Sequence, residues 1–294
     1  LSFLEAISYI HSDIKMTADT ILKKIIKHLT PIDFLDLNNG DLFKIFLDTN
    51  DKLNATTYIT FINWCKEYND TLTFLININD DKKTLFSLKK ELDTDASPSD
   101  IIKKLKLIDS VNDTNYMFLI SLFFSFENFK KYCGDFNVNK DILYFIDILS
   151  KPRDWLFIEG LNIVILEQKG NQLFINCPLT EDANRLYNNT KPICILYKLN
   201  NIYEPIVLAI NLVQNPKLVF VKQFYYKQKE VSPILISRIT NLNNILLTNC
   251  ISNIDNSDII LRDRPIRFLN FESIYNILNK EKDNIKYLVI DDYY

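Results

Sequence analysis

The imidazoles of this chain are His11 and His28, and neither has a cysteine close to it in sequence. Acyl transfer by a Ser–His or Cys–His pair would require one of them to fold against a distant hydroxyl or thiol. The thiols are Cys65, Cys133, Cys177, Cys194 and Cys250, odd in number and without a CxxC pair. Wide spacing of this kind reads as free thiols in a reducing compartment, and it lacks the close ligand pairs of a zinc site. Among the carboxylates, Glu159, Glu167 and Glu204 fall at the edges of expected strands, where a metal-dependent nuclease places its ligands. "ILEQK" at 165–169 also has a nuclease-like Glu-x-Lys spacing. A second acid at a fitting distance is absent, so a Glu and a Lys facing solvent at a strand end is the ordinary explanation. Four isolated glycines make no phosphate loop, and the HExxH, GxSxG and kinase signatures are missing. The residues therefore call for no metal and no cofactor.

A different chemistry is offered by "FYYKQK" at 224–229. Phe224, Tyr225 and Tyr226 followed by Lys227 and Lys229 could stack on bases or meet a polar partner. The plainer alternative is an amphipathic strand end with a basic tip. The formal net charge is −3 and no basic block occurs, which disfavours a dedicated nucleic-acid-binding domain.

The first 150 residues must position these groups with helices. Leu4, Ile7 and Ile10, extended by Ile14, form one helical stripe, and "LSFLEAISYI" reads as a core helix of a domain cut from a longer chain. A second stripe runs Ile21, Leu22, Ile25, Ile26 and Leu29 and stops before Pro31. "DFLDLNNGDLFKIF" gives a short helix, an Asn-Asn-Gly turn and a second helix, with Gly40 placed for a left-handed conformation. Tyr58, Ile59, Ile62 and Trp64 mark another helix. The polar stretch 77–113 reads as a surface insertion. "YMFLISLFFSFENFKKYC" and "NKDILYFIDILS" supply two further helices, and the apolar run at 117–126 is too short to span a membrane.

After Pro152 the pattern changes. "GLNIVILEQ", "QLFINCP", "KPICILYKL", "YEPIVLAINL" and "KLVFVKQFYY" are short, apolar and β-branched, and short turns separate several of them. Five such strands predict a mostly antiparallel, meandering sheet. "PILISRITNLNNILL" and "FESIYNILNKE" return to helix, and "KYLVIDDYY" reads as a final strand. With 47% hydrophobic residues the chain can build a packed core. The expected class is α+β: a helical N-terminal half, a mostly antiparallel five-stranded sheet, then C-terminal helices. Residues 1–230 form one expected domain and 231–294 a helical extension packing on it. Only 4 glycines occur, and the heavy use of Asn, Ile, Lys, Tyr and Phe points to an AT-rich genome.

Several of these segments occur in one fixed order: "LSFLEAISYI", "ILKKIIKHLTPIDFLDLNNGDLFKIF", "GLNIVILEQ", "FINCP" and "NIYEPIV". In that order they resemble the carboxyl-terminal half of the early transcription factor large subunit of large DNA viruses (poxviruses, the African swine fever virus lineage and giant viruses). The resemblance covers most of residues 1–225; its motifs are short, and their order carries it. The cysteine-rich segment upstream of the "SFL" helix in that family is not in this sequence. What the resemblance implies is a role beside a small helicase-like subunit, bringing viral RNA polymerase to early promoters. Promoter DNA would be reached through the full-length protein, without a membrane, in the virion and in the cytoplasmic viral factory.

A second resemblance is architectural. Ovarian tumour (OTU) type cysteine proteases start a helix with a nucleophile in the pattern Cys-Leu-Phe-x-Ala-hydrophobic, and a later strand carries His-Tyr-acid-x-hydrophobic. "SFLEAI" is similar to the first, with Ser2 at the nucleophile and Ala6 at the alanine. "GLNIVILE" matches the central strand, and "IYEPIV" is similar to the second signature, with Ile202 where the histidine stands. The resemblance thus implies a hydrolase fold without its chemistry, because Ile202 accepts no proton and a serine without a base attacks poorly. Tyr203, Glu204 and Pro205 then keep the fold near a vestigial cleft. The expected function is a non-catalytic scaffold for transcription proteins. The alternatives are a virion structural protein or a nuclease or peptidase with an unconventional site.

Overall fold

The computed structural model describes residues 2–48, 50–68, 72, 114–169, 172–176, 187–188, 190–211, 218–226, 228–229, 231–249, 268–269 and 287–290. The chain divides into two compact units: Ile25–Val138, and Leu1–Lys24 together with Asn139–Tyr294. Each is taken by itself.

In the discontinuous unit, α1 (Ser2–Ile10) buries Phe3, Leu4, Ala6, Ile7 and Ile10. This is the 3–4 spacing of one helical face. The face stops at Ile10, and Ile14, which the sequence pattern adds to it, is 95% exposed because the chain has already turned out of the helix. Next comes α2 (Ala18–His28), opened by Thr17, whose Oγ accepts from the Thr20 N–H at 3.1 Å. The division between the two units falls inside α2.

The sheet follows α7 (Leu143–Ser150). Its five main strands are β1 (Asn162–Lys169), β2 (Gln172–Asn176), β3 (Ile193–Leu199), β4 (Ile202–Asn211) and β5 (Leu218–Val221). All five expected strands are present, and most pairings are antiparallel. The meander is not. β2 folds back antiparallel on β1, but β3 lies parallel to β1 on its other side, Asn162 opposite Ile193 through Gln168 opposite Leu199. Short turns would favour a hairpin between β2 and β3. The residues just before β3 instead tie to the start of β1: Tyr187 Oη donates to the Ile163 carbonyl at 2.8 Å, and the Asn162 N–H donates to the Pro192 carbonyl at 2.9 Å. Ile163–Leu166 and Ile193–Leu196 are buried at every position, as strands covered on both faces must be. The cover includes α1 on β4, α7 on β1, and α8 (Pro233–Asn249) on β1 and β3.

The segment 231–294 is not a purely helical extension: it begins with the expected helix packed on the domain, and a strand falls within "KYLVIDDYY" as expected. α8 packs on the same sheet, and two short strands join it: β6 (Phe268–Leu269) beside β2 and β7 (Tyr287–Ile290) beside β4. An expected boundary at residue 230 is therefore absent, and the break in packing falls at Ile25–Val138 instead. The insertion at 77–113 and the helix expected at "FESIYNILNKE" lie outside the described residues.

The contiguous unit holds α3 (Pro31–Leu35), a 3₁₀ turn (Leu37–Gly40), α4 (Asp41–Phe46), α5 (Ala55–Glu67) and α6 (Thr114–Gly134). Capping boxes at Thr30/Asp33 and Asn54/Thr57 satisfy the first N–H groups of α3 and α5. Gly40 supplies φ +83° between the 3₁₀ turn and α4, as the Asn-Asn-Gly pattern predicts. Leu119, Leu122, Phe126, Phe129 and Cys133 make the buried stripe of α6, and Ser125 Oγ and Asn128 Nδ2 donate to the carbonyls of Phe43 and Phe46 at the end of α4. Among the described residues no helix is long and apolar enough to cross a membrane.

One backbone contact in the sheet unit leaves no room for variation. Gly160 has φ +71°, and a Cβ there would collide with the Ser150 carbonyl at the end of α7. Strain and collision act together, so Gly160→Ala is expected to lower stability by about 2–4 kcal/mol. Urea unfolding checks this as a fall in midpoint.

Candidate functional site

Ser2 opens α1 and meets the backbone of β4. Its Oγ accepts from the Tyr203 N–H at 2.8 Å and donates to the Tyr203 carbonyl at 3.4 Å. Phe3 packs edge-on against the Tyr203 ring, with centroids 5.5 Å apart. The fold therefore brings together the two segments that the sequence pairs, "SFLEAI" and "IYEPIV". Local sequence explains the strand's approach. Asn200 takes φ +55° and, with Asn201, forms a two-residue turn that puts Leu199 opposite Ile202. Ile202 sits at the start of β4 and is 57% exposed.

A cavity of about 270 Å³ lies at this junction, lined among others by Ser2, Leu4, Asn139, Lys140, Asn201 and Tyr203. Tyr203, which lines it, also meets a group of charged side chains from the sheet. Glu167 pairs with Lys198 at 3.0 Å and Lys169 at 3.6 Å, and Lys198 stands over the Tyr203 ring at 5.7 Å. Burial alone would raise the Glu167 carboxyl, but the Lys198 hydrogen bond and charge outweigh it and hold it below its ordinary value. The Tyr203 phenol is pushed up to about 12, by burial first and then by the negative charges of Glu167 and Asp141.

Glu204 and Pro205 belong to the β4 ladder, opposite Tyr197 and Leu196. Pro205 is buried and has no N–H to give; it immediately precedes Ile206–Ala209, the stretch that pairs with β7. Nothing gathers the three strand-edge carboxylates. Glu167 is occupied by its lysines, Glu204 lies across the ladder from Tyr197, and Glu159 is an exposed turn residue whose charge helps raise the Tyr225 phenol, after burial. Among the described residues no group of three His, Cys, Asp or Glu side chains could hold a metal ion. Of the thiols, Cys65, Cys133 and Cys194 are buried, and burial pushes Cys65 up to about 12; Cys177 and Cys250 lie outside the described residues.

The hydrogen bonds of the Ser2 hydroxyl go to the Tyr203 backbone, and those of His11 go elsewhere. His11 stands nine residues further on, about 14 Å along the helix axis, with Nε2 at 3.0 Å from the Leu156 carbonyl. His28 is exposed at the end of α2.

The aromatic segment is divided by the fold. Phe224 is 2% exposed and bridges to Ile193, so it is a core residue and not an interaction residue. The strand runs on past β5 far enough to place that ring inside. Tyr225, Tyr226 and Lys229 are exposed, and Lys227 lies outside the described residues. Two residues that sequence reasoning passed over lie just before. Lys222 Nζ donates to the Tyr9 carbonyl at 2.7 Å and Gln223 Nε2 to the Ile10 carbonyl at 3.1 Å, satisfying the end of α1. No local pattern signals a cap supplied from more than 200 positions away.

Comparison of the chain with family models, with curated proteins and with solved structures yields no match in any of the three.

Two measurements test the site. Ser2→Ala removes both bonds to Tyr203 and is expected to cost about 1 kcal/mol by urea unfolding. Because the Glu167 carboxyl is depressed in the folded chain, its contribution is present above its unfolded value of about 4.5 and is lost as pH falls through the folded value. The stability gap between the native chain and Glu167→Gln should therefore be wide at neutral pH and shrink toward pH 3.

Proposed function

We propose that this chain is a non-catalytic, OTU-like docking domain of the early-transcription-factor large-subunit kind. It serves as a rigid platform for viral RNA polymerase and the small helicase-like subunit. One observation carries the reading: the Ser2 hydroxyl is engaged on both its donor and acceptor sides by the backbone of Tyr203, next to an aliphatic Ile202. A nucleophile needs a base at that place. Here the contact between helix and strand is used to join them.

The fixed order of motifs supports the family assignment, and the near-neutral charge favours protein contacts over a phosphate-dominated interface. The surface offered is the turn after β5. Tyr226 is 57% exposed there, Tyr225 is partly exposed, and Glu159 acts on Tyr225 from the turn that also presents Ile158, 77% exposed. Tyrosines with an apolar body and a polar tip are common anchors of protein interfaces.

The experiment combines two variants. Ser2→Cys is expected to form no adduct with a ubiquitin active-site probe, and an adduct would overturn the non-catalytic reading. Tyr225→Ser with Tyr226→Ser, at unchanged melting temperature, is expected to reduce capture of recombinant viral RNA polymerase and small subunit by at least tenfold. Full capture by that variant, or tight retention of DNA at physiological salt by the native chain, would overturn the docking role.

A further inference from the structure

His11 sits at the end of α1, and its ring uses both nitrogens. Nε2 lies 3.0 Å from the Leu156 carbonyl, and Nδ1 accepts from the Asp13 N–H at 3.0 Å. A carbonyl only accepts and a peptide N–H only donates, so the two contacts together define one state of the ring. Nε2 carries the proton, Nδ1 carries a lone pair, and the imidazole is neutral. The Phe157 ring packs against it with centroids 4.9 Å apart.

The loop that follows is folded around the same point. Asp13 Oδ1 accepts from the Lys15 N–H at 2.9 Å, and the Asp13 carbonyl accepts from the Met16 N–H at 3.0 Å. This loop holds Ile14 almost fully in solvent. The charged groups on the elements around the ring have their own engagements or face water. Asp13 is held by Lys15, Arg153 stands over the Trp155 ring at 5.3 Å, Lys222 is bound to the Tyr9 carbonyl, and Lys15, Asp154 and Glu159 are exposed. The imidazole is the group in this corner that offers a lone pair, at Nδ1, able to take up a proton.

We infer that His11 is a pH latch on the 11–16 loop. In its neutral form it ties Asp13 to the Leu156–Phe157 turn. A proton taken from solvent by the Nδ1 lone pair turns that acceptor into a donor facing the Asp13 N–H. The bond to Asp13 is lost while the Nε2 bond to Leu156 persists, and the loop carrying Ile14 is released from the end of α1. The inference does not depend on the docking role.

The test is NMR on the full chain with labelled imidazole nitrogens. At pH 8 the ring is expected in the Nε2–H form. As it titrates, the protection of the Asp13 amide against solvent exchange should fall about tenfold, the loss of one hydrogen bond, while the Ile21 amide in α2 keeps its protection. In His11→Gln the Asp13 amide should show no step between pH 5 and 8. An Nδ1–H tautomer at pH 8, or Asp13 protection unchanged through the ring's titration, overturns the inference. The tautomer is read on the native chain, so the result stands even if the variant folds poorly.

Discussion

A helix leaves polar backbone groups open at both ends, and α1 has them answered by residues far along the chain. At its start Ser2 exchanges two hydrogen bonds with the Tyr203 peptide. At its finish Lys222 and Gln223 cover the Tyr9 and Ile10 carbonyls, while His11 reaches Leu156. Between these ends, Leu4, Ile7 and Ile10 are almost wholly removed from water. The helix is thus fixed along its axis by polar bonds and across it by apolar packing. The cavity beside Ser2, the exposed place of Ile202 and the state of the His11 ring all depend on that fixation.

A second polar node lies where the two central strands begin. The Ser150 carbonyl at the end of α7 accepts from Lys191 Nζ at 2.7 Å, and the chain passes it at Gly160 with no room for a side chain. Lys191 is almost entirely buried, and burial lowers its amine from the ordinary value, with Lys151 adding to the effect. Such a group is tolerated because a helix C-terminus, with its partial negative charge, is its partner. The node joins the end of α7 to the entrance of β3, and so sets where the two central strands begin.

Much of this architecture was legible in local pattern. The five strands could be found because β-branched runs between turn residues have a plain physical cause, and Gly40 acts within a few residues of itself. Pairing was less legible. Nothing in "QLFINCP" or "KPICILYKL" says that they lie on opposite sides of β1, because both are apolar enough to pair anywhere in a buried sheet. Phe224 was read as a surface aromatic because its neighbours are Tyr and Lys; one further ladder contact, to Ile193, decides its burial. Ile14 kept the helical spacing after the helix had ended. At the site, neither the bonds of Ser2 to the Tyr203 peptide nor the caps from Lys222 and Gln223 have a local signal in the sequence.

The wide separation of α1 from its partners also bears on the order in which the chain can assemble. During synthesis the unit Ile25–Val138 is complete before the described strands of the sheet have been made, and its helices contact neighbours in the same stretch. α1 emerges earlier still, yet the peptide that holds Ser2 and the side chains that cover its last carbonyls come about 200 positions later. Until then its apolar face has no sheet to cover. Contacts of such separation form late and slowly, so α1, made before every strand that it packs with, is secured only after them, and its apolar face stays uncovered until β4 has been made.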